Sequence, residues 1–248
     1  MAFDVNNFVI DRIVRGVALS QKDDSVLFSI NQIQNASLNC ASEATEAVDA
    51  MGTPIATFYR AKSAEFSAEN ALFDMNLMAT QLGTSKKVAS SSSKILVPAM
   101  ENFTAAGGKY TLKHAPKTAP VEIYALNGDS TFGKKYVKAT AASATAFAIS
   151  DKEITLPTGL DEGTEMFVMY EYETEQAVEV VNSATQFPTG CKFVMEVLGC
   201  DVCDQTNLVY AYVIFNNAKL APDFDWSIAT DGTHPFSMTA QQAYCDKE

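Results

Sequence analysis

The hydrophobic pattern before residue 70 has a period of two, which predicts a series of β-strands. In residues 55–60 and 64–68 the side chains alternate between two different faces, as expected for strands. Residues 13–19 and 25–30 form a similar pair around a polar tip, and residues 33–40 continue the pattern. We therefore predict an N-terminal hairpin followed by further strands of one sheet.

From residue 70 the spacing of apolar positions becomes helical. Leu72, Met75, Ala79 and Leu82 fall on one face, while polar residues occupy the other. Ser67 or Asn70 is a candidate N-cap, and Gly83 supplies the left-handed residue that commonly ends a helix. The sequence predicts one amphipathic helix over 70–82 that covers an open face of a sheet.

Residues 38–60 read as one long hairpin with an exposed tip. Gly52 lies between the two arms, where a residue with positive φ is needed. The first arm contains few apolar residues, so it does not resemble a core strand. Such a hairpin leaves strand edges unpaired in a monomer, and we expect a neighbouring molecule to cover it.

A second β-rich region interrupts this first core. Residues 84–94 contain four consecutive serines and are typical of a flexible Ser/Lys linker. Between residues 95 and 175, short β segments are separated by turn signals such as Gly107-Gly108 and Asn127-Gly128. This spacing predicts a small inserted β-sandwich domain.

The C-terminal part, residues 176–248, returns to the first core. Residues 208–215 are almost entirely apolar, which predicts a strand buried on both faces. Residues 224–228 and 236–243 are predicted as strands of a closing hairpin with its turn at 230–233. Trp226, which lies in this hairpin, is interpreted as a core or interface anchor.

These elements predict a mainly β protein. Residues 1–83 and 176–248 are expected to form a β-sandwich or half-barrel with one flanking helix, and residues 95–175 an inserted small β-sandwich. The sequence has no repeat with a period of 20–50 residues, which excludes a solenoid.

The formal net charge of −12 is unevenly distributed. Residues 1–150 hold 14 Lys and Arg against 13 Asp and Glu, a balance of +1, whereas residues 151–248 hold 4 against 17, a balance of −13. Nine lysines lie between residues 84 and 138, which predicts a basic surface there. The net negative charge of the whole chain argues against nucleic-acid binding. Its uneven distribution is compatible with copies whose acidic and basic surfaces contact each other.

Candidate chemistry is sparse. Cys200 and Cys203 have the spacing of half a zinc site, but Cys191 and Cys245 do not supply a second pair with suitable spacing. Asp223 and Asp225 would share a strand face, which is compatible with a hydrolase pair or a calcium site, but two lone carboxylates before a tryptophan favour a solvated edge. Phosphate-binding loops and nucleophile elbows are absent from the sequence. We expect no enzyme activity, no metal and no cofactor.

The N-terminus lacks the basic and apolar regions of a signal peptide, and no run of about 18 apolar residues could span a membrane. We therefore expect synthesis and folding in a reducing cytoplasm, without membrane association.

Two segments resemble the tail tube (major tail) proteins of tailed bacteriophages. They are PIATFYRAKSAEFSAENALFDMNLMATQLG, in which a strand pair precedes a helix, and AKLAPDFDWSIATDGTHPFSMTAQQAY near the C-terminus. The resemblance implies a virion protein whose copies form hexameric rings, stacked with other tail proteins into a channel that DNA crosses without specific binding. It also implies that residues 95–175 decorate the outside. Another virion component (baseplate, adaptor or capsid-decorating protein) and a cell-surface binding module remain alternatives.

The resemblance also suggests roles for the hairpin. A wall along which DNA moves should expose carboxylates and hydroxyls, and Glu43, Thr45 and Asp49 satisfy this demand on one strand face. We predict that these three residues face the lumen; a solvated outer loop is the alternative. We also predict that four residues of this hairpin contact neighbouring subunits: Met51, Thr53, Phe58 and Arg60.

Overall fold

The computed structural model describes residues 7–242. Strands account for 58% of the chain and helix for 3%, so the predicted mainly β fold with half-barrel and sandwich-like sheets is confirmed. The chain divides into two compact units. Met1–Lys86 and Val180–Glu248 form a discontinuous unit, and Lys87–Glu179 form an inserted unit.

The discontinuous unit is built on one seven-stranded sheet. Numbered along the whole chain, the elements before the insertion are β1 (Phe8–Ser20), β2 (Val26–Ile30), β3 (Ile33–Val48), β4 (Pro54–Asn70) and α1 (Met75–Gln81). Those of the inserted unit are β5 (Lys87–Val88), β6 (Ile95–Thr104), β7 (Lys109–Thr111), β8 (Glu122–Leu126), β9 (Phe132–Lys138), β10 (Ala146–Ser150), β11 (Glu153–Thr155), β12 (Glu165–Thr174) and β13 (Val178–Glu179). The chain then continues with β14 (Gly190–Asp201), β15 (Asp204–Leu220) and β16 (His234–Ala240).

In the discontinuous unit the strand order is β2-β1-β14-β15-β16-β4-β3. Phenylalanines from five strands meet on the inner face of this sheet, and their neighbouring ring centroids lie 5.7 to 6.4 Å apart; they are Phe28, Phe66, Phe193, Phe215 and Phe236. Burying each ring contributes about 1.5–3 kcal/mol to the stability of the core. Leu77 of α1 is fully buried in the same cluster.

The helix is shorter than the predicted 70–82. It spans Met75–Gln81, and its N-cap is Asp74, whose side chain accepts hydrogen bonds from the amides of Asn76 and Leu77. The proposed caps Ser67 and Asn70 are wrong, because the pairing of β4 with β3 and β16 holds the chain extended through Asn70. Gly83 does adopt a positive φ of 68° as predicted.

The two strands predicted at 55–60 and 64–68 are one continuous strand, β4. A bulge interrupts its pairing with β3: Ser42 pairs with Lys62, whereas the next residue, Glu43, pairs with Arg60. The extra residue is Ala61, with φ of 50°. Such a bulge shifts the alternation of side chains by one residue. Even-numbered residues after Ala61 therefore lie on the same face as odd-numbered residues before it.

The inserted unit contains a second seven-stranded sheet with the order β6-β12-β8-β9-β10-β11-β7. Its strands lie close to the predicted segments. Inside its core, Glu101 is only 3% exposed and accepts hydrogen bonds from the hydroxyls of Tyr110 and Tyr170 and from the Lys113 amide. A buried carboxylate is tolerated because every one of these donors points at it.

Part of the predicted Ser/Lys linker has regular structure. Residues Lys87–Val88 pair with Val178–Glu179, and the amides of Ser90 and Ser93 each donate a hydrogen bond to the other residue's carbonyl oxygen. The lysine excess of residues 84–138 does not extend to the whole inserted unit. Residues 87–179 hold 9 Lys and 12 Asp and Glu, a balance of −3.

The predicted strand at 224–228 is absent, since these residues form a loop before β16. Trp226 instead stacks on Phe73 with centroids 4.1 Å apart, and Phe73 stacks on the buried His234. Aromatic packing of this segment replaces strand pairing. β16 ends at Ala240, and Ala243 and Cys245 lie outside the described residues.

Candidate assembly surface

The most exposed element of the discontinuous unit is the distal part of the β3–β4 hairpin, residues 38–64, here called the hairpin arm. Of all the residues in β3, only Ile33 is buried. β16 pairs with β4 only between Glu65 and Asn70, so within the described chain the strands of the arm pair only with each other. The predicted long, exposed hairpin is therefore present.

The tip of the arm is held by Asp49. Its Oδ1 atom accepts hydrogen bonds from the amides of Met51 (2.8 Å) and Thr53 (2.9 Å). These bonds, that of Thr53 first, lower the pKa of Asp49. Gly52 completes the turn with φ of 82°, as its position predicted. Asp49 therefore has a structural task at the turn, in addition to the lumen role predicted for it.

The structure brings two sets of predicted residues onto one face of the arm. Glu43 is paired with Arg60 and Thr45 with Phe58, and directly opposed residues of an antiparallel pair share a face. The residues predicted for the lumen and for contacts between subunits are thus neighbours. Met51, at the tip, is 91% exposed.

The opposite face of the arm carries other apolar side chains. Tyr59 is paired with Ala44, and the next pair is Thr57 with Glu46. Val48 follows Glu46 on the same face by strand alternation, whereas Ile55 is the extra residue of a second bulge, between the pairs Ala47–Ala56 and Val48–Pro54. Val48 and Tyr59 are 53% and 70% exposed. This apolar face has no partner in the described chain.

A second exposed surface lies on β15, and sequence reasoning missed it. Leu208, Tyr210, Tyr212 and Ile214 alternate along one face and are 50–59% exposed; this set is here called the aromatic stripe. The prediction that residues 208–215 are buried on both faces is wrong, because only the face with Val213 and Phe215 packs on the core. The signal available in the sequence was the tyrosine at alternate positions, which is typical of interfaces.

Two arginines border the aromatic stripe across β14. Arg15 is opposite Glu196, which is opposite Tyr212; in the next row Arg12 is opposite Leu198 and Tyr210. The Nε atom of Arg15 donates to a Glu196 oxygen at 2.7 Å, and the Tyr212 hydroxyl donates to the other oxygen at 3.1 Å. The hydrogen bond from Arg15 is the main cause that lowers the pKa of Glu196.

Two long strand edges are also open in this unit. β15 pairs with β16 only at Ala218–Leu220, so the edge of residues 204–217 on that side has no partner strand within residues 7–242. The edge of β4 over residues 54–64 is open in the same way. Open edges of this length are templates for pairing with another chain.

The remaining candidate residues of the described chain are four cysteines and two aspartates. Cys191 is buried, which raises the pKa of its thiol to about 11, while Cys40 and Cys203 are exposed. Cys200 lies in β14, and Cys203 lies in the turn that joins β14 to β15. Among the residues that the structure describes, no group of three His, Cys, Asp or Glu is arranged to hold a metal ion.

Asp223 and Asp225 lie on the loop before β16 and line an open groove with Glu69 and Asn35. Asn35 donates a hydrogen bond to Glu69 at 3.3 Å, as does the Thr233 hydroxyl at 3.2 Å. The two aspartates thus lie at an open surface groove beside Glu69.

Comparison with known proteins assigns the chain to a family. No helix in the described part of the chain is long and apolar enough to cross a membrane. No curated protein matches the chain. The YomU/Tube protein family matches residues 8–245, which include all the strands of both units. The chain therefore belongs to the YomU/Tube protein family, and the resemblance to a tube protein is confirmed at this level.

Proposed function

We propose that the protein is a structural subunit of a bacteriophage tail tube. In this role its copies form hexameric rings that stack, together with other tail proteins, into the channel for DNA ejection. It acts in the virion, without catalysis, cofactor or membrane. The observation that carries the proposal is the family membership combined with a hairpin arm that has no partner strand elsewhere in residues 7–242.

Several physical features support assembly. The arm, the aromatic stripe and the open edges of β4 and β15 all belong to the discontinuous unit. Strand edges without a partner pair readily with other chains, and a head-to-tail contact that repeats by rotation closes into a ring. Assembly of identical copies would use these surfaces without any further protein.

The test is the mass and shape of the purified protein. We expect species far above the monomer mass of 26.8 kDa in mass photometry, and rings or tubes by electron microscopy. Seeding with tail fragments of the virion should accelerate their growth. A protein that stays monomeric under all these conditions would contradict the proposal, whereas discrete oligomers without tubes would favour a baseplate or adaptor role.

The proposed lumen face carries Glu43 and Thr45, with Asp49 at its end. Because Arg60 is opposite Glu43, the charges at this level of the wall are balanced rather than purely negative. Glu43→Lys would place two cations side by side in each subunit, and DNA phosphates would then be retained. We expect slower DNA ejection from such virions, most of all at low salt, where screening is weakest.

Glu171→Lys is the matched control, since this exposed glutamate belongs to the inserted unit and changes the net charge equally. Asp49 is unsuited to the same test because its carboxylate holds the turn. Unchanged ejection by Glu43→Lys virions would place this face outside the lumen.

The inserted unit is proposed to decorate the outside of the tube. It is a compact unit with its own core, and no strand of its sheet pairs with the sheet of the discontinuous unit within residues 7–242. Replacing residues 87–179 by a short linker should leave tube formation intact. A folded deletion variant that cannot assemble would show that the inserted unit contributes to the contacts between subunits.

A further inference from the structure

The aromatic stripe is a surface that the isolated chain leaves uncovered. Residues 208–215 have the composition of a strand buried on both faces, yet one face is half exposed along its length. A row of large apolar side chains at alternate positions forms a continuous patch, and such patches mark sites of protein contact. Nothing within residues 7–242 covers this face, and a second molecule would supply the cover.

We infer that the aromatic stripe of one copy receives the hairpin arm of a second copy, through the arm face that carries Val48 and Tyr59. This inference rests on the proposed tube function and specifies which two surfaces of the subunit meet. The partner is a second copy because the same chain that leaves a face uncovered also carries an arm with an unpartnered apolar face.

The two surfaces are similar in length. Seven residues from Leu208 to Ile214 cover roughly 20 Å at the rise of a β-strand. The arm extends over a comparable distance from Ala44 to its tip. Each surface is therefore long enough to cover most of the other.

The charges of the two surfaces are complementary. Glu46 is on the same arm face as Tyr59, with no ion-pair partner among the described residues. Arg12 borders the stripe in the Tyr210 row, and among the described residues its only close carboxylate is that of its chain neighbour Asp11, at 3.6 Å. Arg15 is already bonded to Glu196. In the proposed contact, Glu46 meets Arg12 at the margin while Val48 and Tyr59 cover the stripe.

The geometry also leaves the other arm face free. Glu43, Phe58 and Arg60 point away from the Tyr59 face, so docking on the stripe does not bury the face proposed for the lumen. Because arm and stripe are different surfaces, the contact is head-to-tail and repeats from copy to copy. A contact of two stripes with each other would instead stop at a dimer.

Two variants separate these possibilities. The stripe variant combines Tyr210→Asp with Ile214→Asp, and the arm variant combines Val48→Asp with Tyr59→Asp. All four side chains are more than half exposed, so the monomer should keep its circular dichroism spectrum and its unfolding temperature. We expect each variant alone to lose assembly. Phe132→Asp, at a residue 60% exposed in the inserted unit, is the control and should assemble like the wild type.

Mixing the two variants is the decisive experiment. The stripe variant keeps an intact arm and the arm variant an intact stripe, so one good contact remains between them. We expect a 1:1 complex of about twice 26.8 kDa by mass photometry, with no rings or tubes. The charge swap Arg12→Glu with Glu46→Arg should restore assembly that either single change weakens.

The outcomes are distinguishable. If the wild type assembles and the stripe variant assembles equally well, the inference is wrong and the tube function stands. An arm variant that still forms dimers while the stripe variant does not indicates contact between two stripes and overturns the arm as the occupant. A wild type that remains monomeric even with virion seeds contradicts both proposals.

Discussion

Each of the two units contains a seven-stranded sheet, and the edge strands of the two sheets differ in length and composition. The inserted unit ends on one side with the three-residue β7 and on the other with β6, which contains Pro98. Short strands and prolines at edges prevent pairing with other chains. The discontinuous unit ends with the sixteen-residue β3, which has neither proline nor lysine.

The two units also differ in whether their buried polar atoms have hydrogen-bond partners. Glu101 of the inserted unit receives three hydrogen bonds, whereas in the discontinuous unit His234 Nδ1 and Asn70 Oδ1 are buried without a partner among the described atoms. The donors that hydrogen-bond to the buried Glu101 thus all belong to the inserted unit itself. The comparison shows that one β-rich chain can contain a unit whose sheet edges are short or carry proline and a unit with a long open edge.

The largest expected effect separates the two cores. Phe193→Ala removes a fully buried ring from the centre of the phenylalanine cluster and should destabilise the discontinuous unit by about 3–5 kcal/mol. Hydrogen exchange followed by mass spectrometry should show faster exchange in β1, β14 and β15, with β8 and β12 unchanged. Leu208→Ala, at an exposed residue of β15, is the control. Equal acceleration in both units would mean that they unfold together.

A smaller effect is expected inside the inserted unit. Glu101→Gln replaces one acceptor oxygen by an amide group, which leaves at least one buried donor without a partner at a cost of about 1–3 kcal/mol. Exchange should accelerate in β6 and β12 and not in β14. Glu171→Gln, on the exposed face of β12, should have no effect. A stable Glu101→Gln variant would show that the hydrogen bonds to the carboxylate are not needed.

The pH dependence should differ between the units. Burial lowers the pKa of His234 below its usual 6.5, although Asp74 partly opposes this. As pH falls below 6.5, His234 therefore binds a proton in the unfolded chain but stays neutral in the folded state. The discontinuous unit loses stability as a result. We expect faster exchange in β16 and β4 between about pH 6.5 and 5, compared at equal intrinsic exchange rates. His234→Gln should remove this pH dependence.

Glu101 behaves differently over the same range. Burial raises its pKa, but the hydrogen bonds from Tyr170, Tyr110 and the Lys113 amide outweigh burial and hold the pKa below its usual 4.5. The stability that it contributes is present above pH 4.5 and is lost as pH falls through the lowered pKa. The inserted unit should thus stay intact at pH 5. Parallel loss of both units above this pH would contradict the assignment.

The smallest effect is expected at the tip of the arm. Asp49→Ala removes the acceptor of the Met51 and Thr53 amides, so the turn should exchange faster while the unfolding temperature stays the same. Asp231→Ala, in the loop before β16, is a matched exposed control. A lower unfolding temperature in Asp49→Ala would mean that the arm is coupled to the core.

The sequence by itself determined the mainly β fold, the long hairpin and the interruption of one core by another. These features depend on local periodicity and turn chemistry: the period of two in residues 55–60, the positive φ available at Gly52 and Gly83, and the regular turn signals between residues 95 and 175. Each of these signals lies within a few residues of the structure it specifies, so no knowledge of distant contacts was required.

Tertiary structure alone decided where the helix begins and which strand faces are covered. Asn70 looked like a helical position, but pairing with Ile33 and His234 keeps it in β4. Apolar composition made residues 208–215 look doubly buried, yet burial depends on what packs against each face, and β15 has a core on only one. The bulge at Ala61 likewise placed Arg60 beside Glu43, because register is a property of two strands and cannot be deduced from either one.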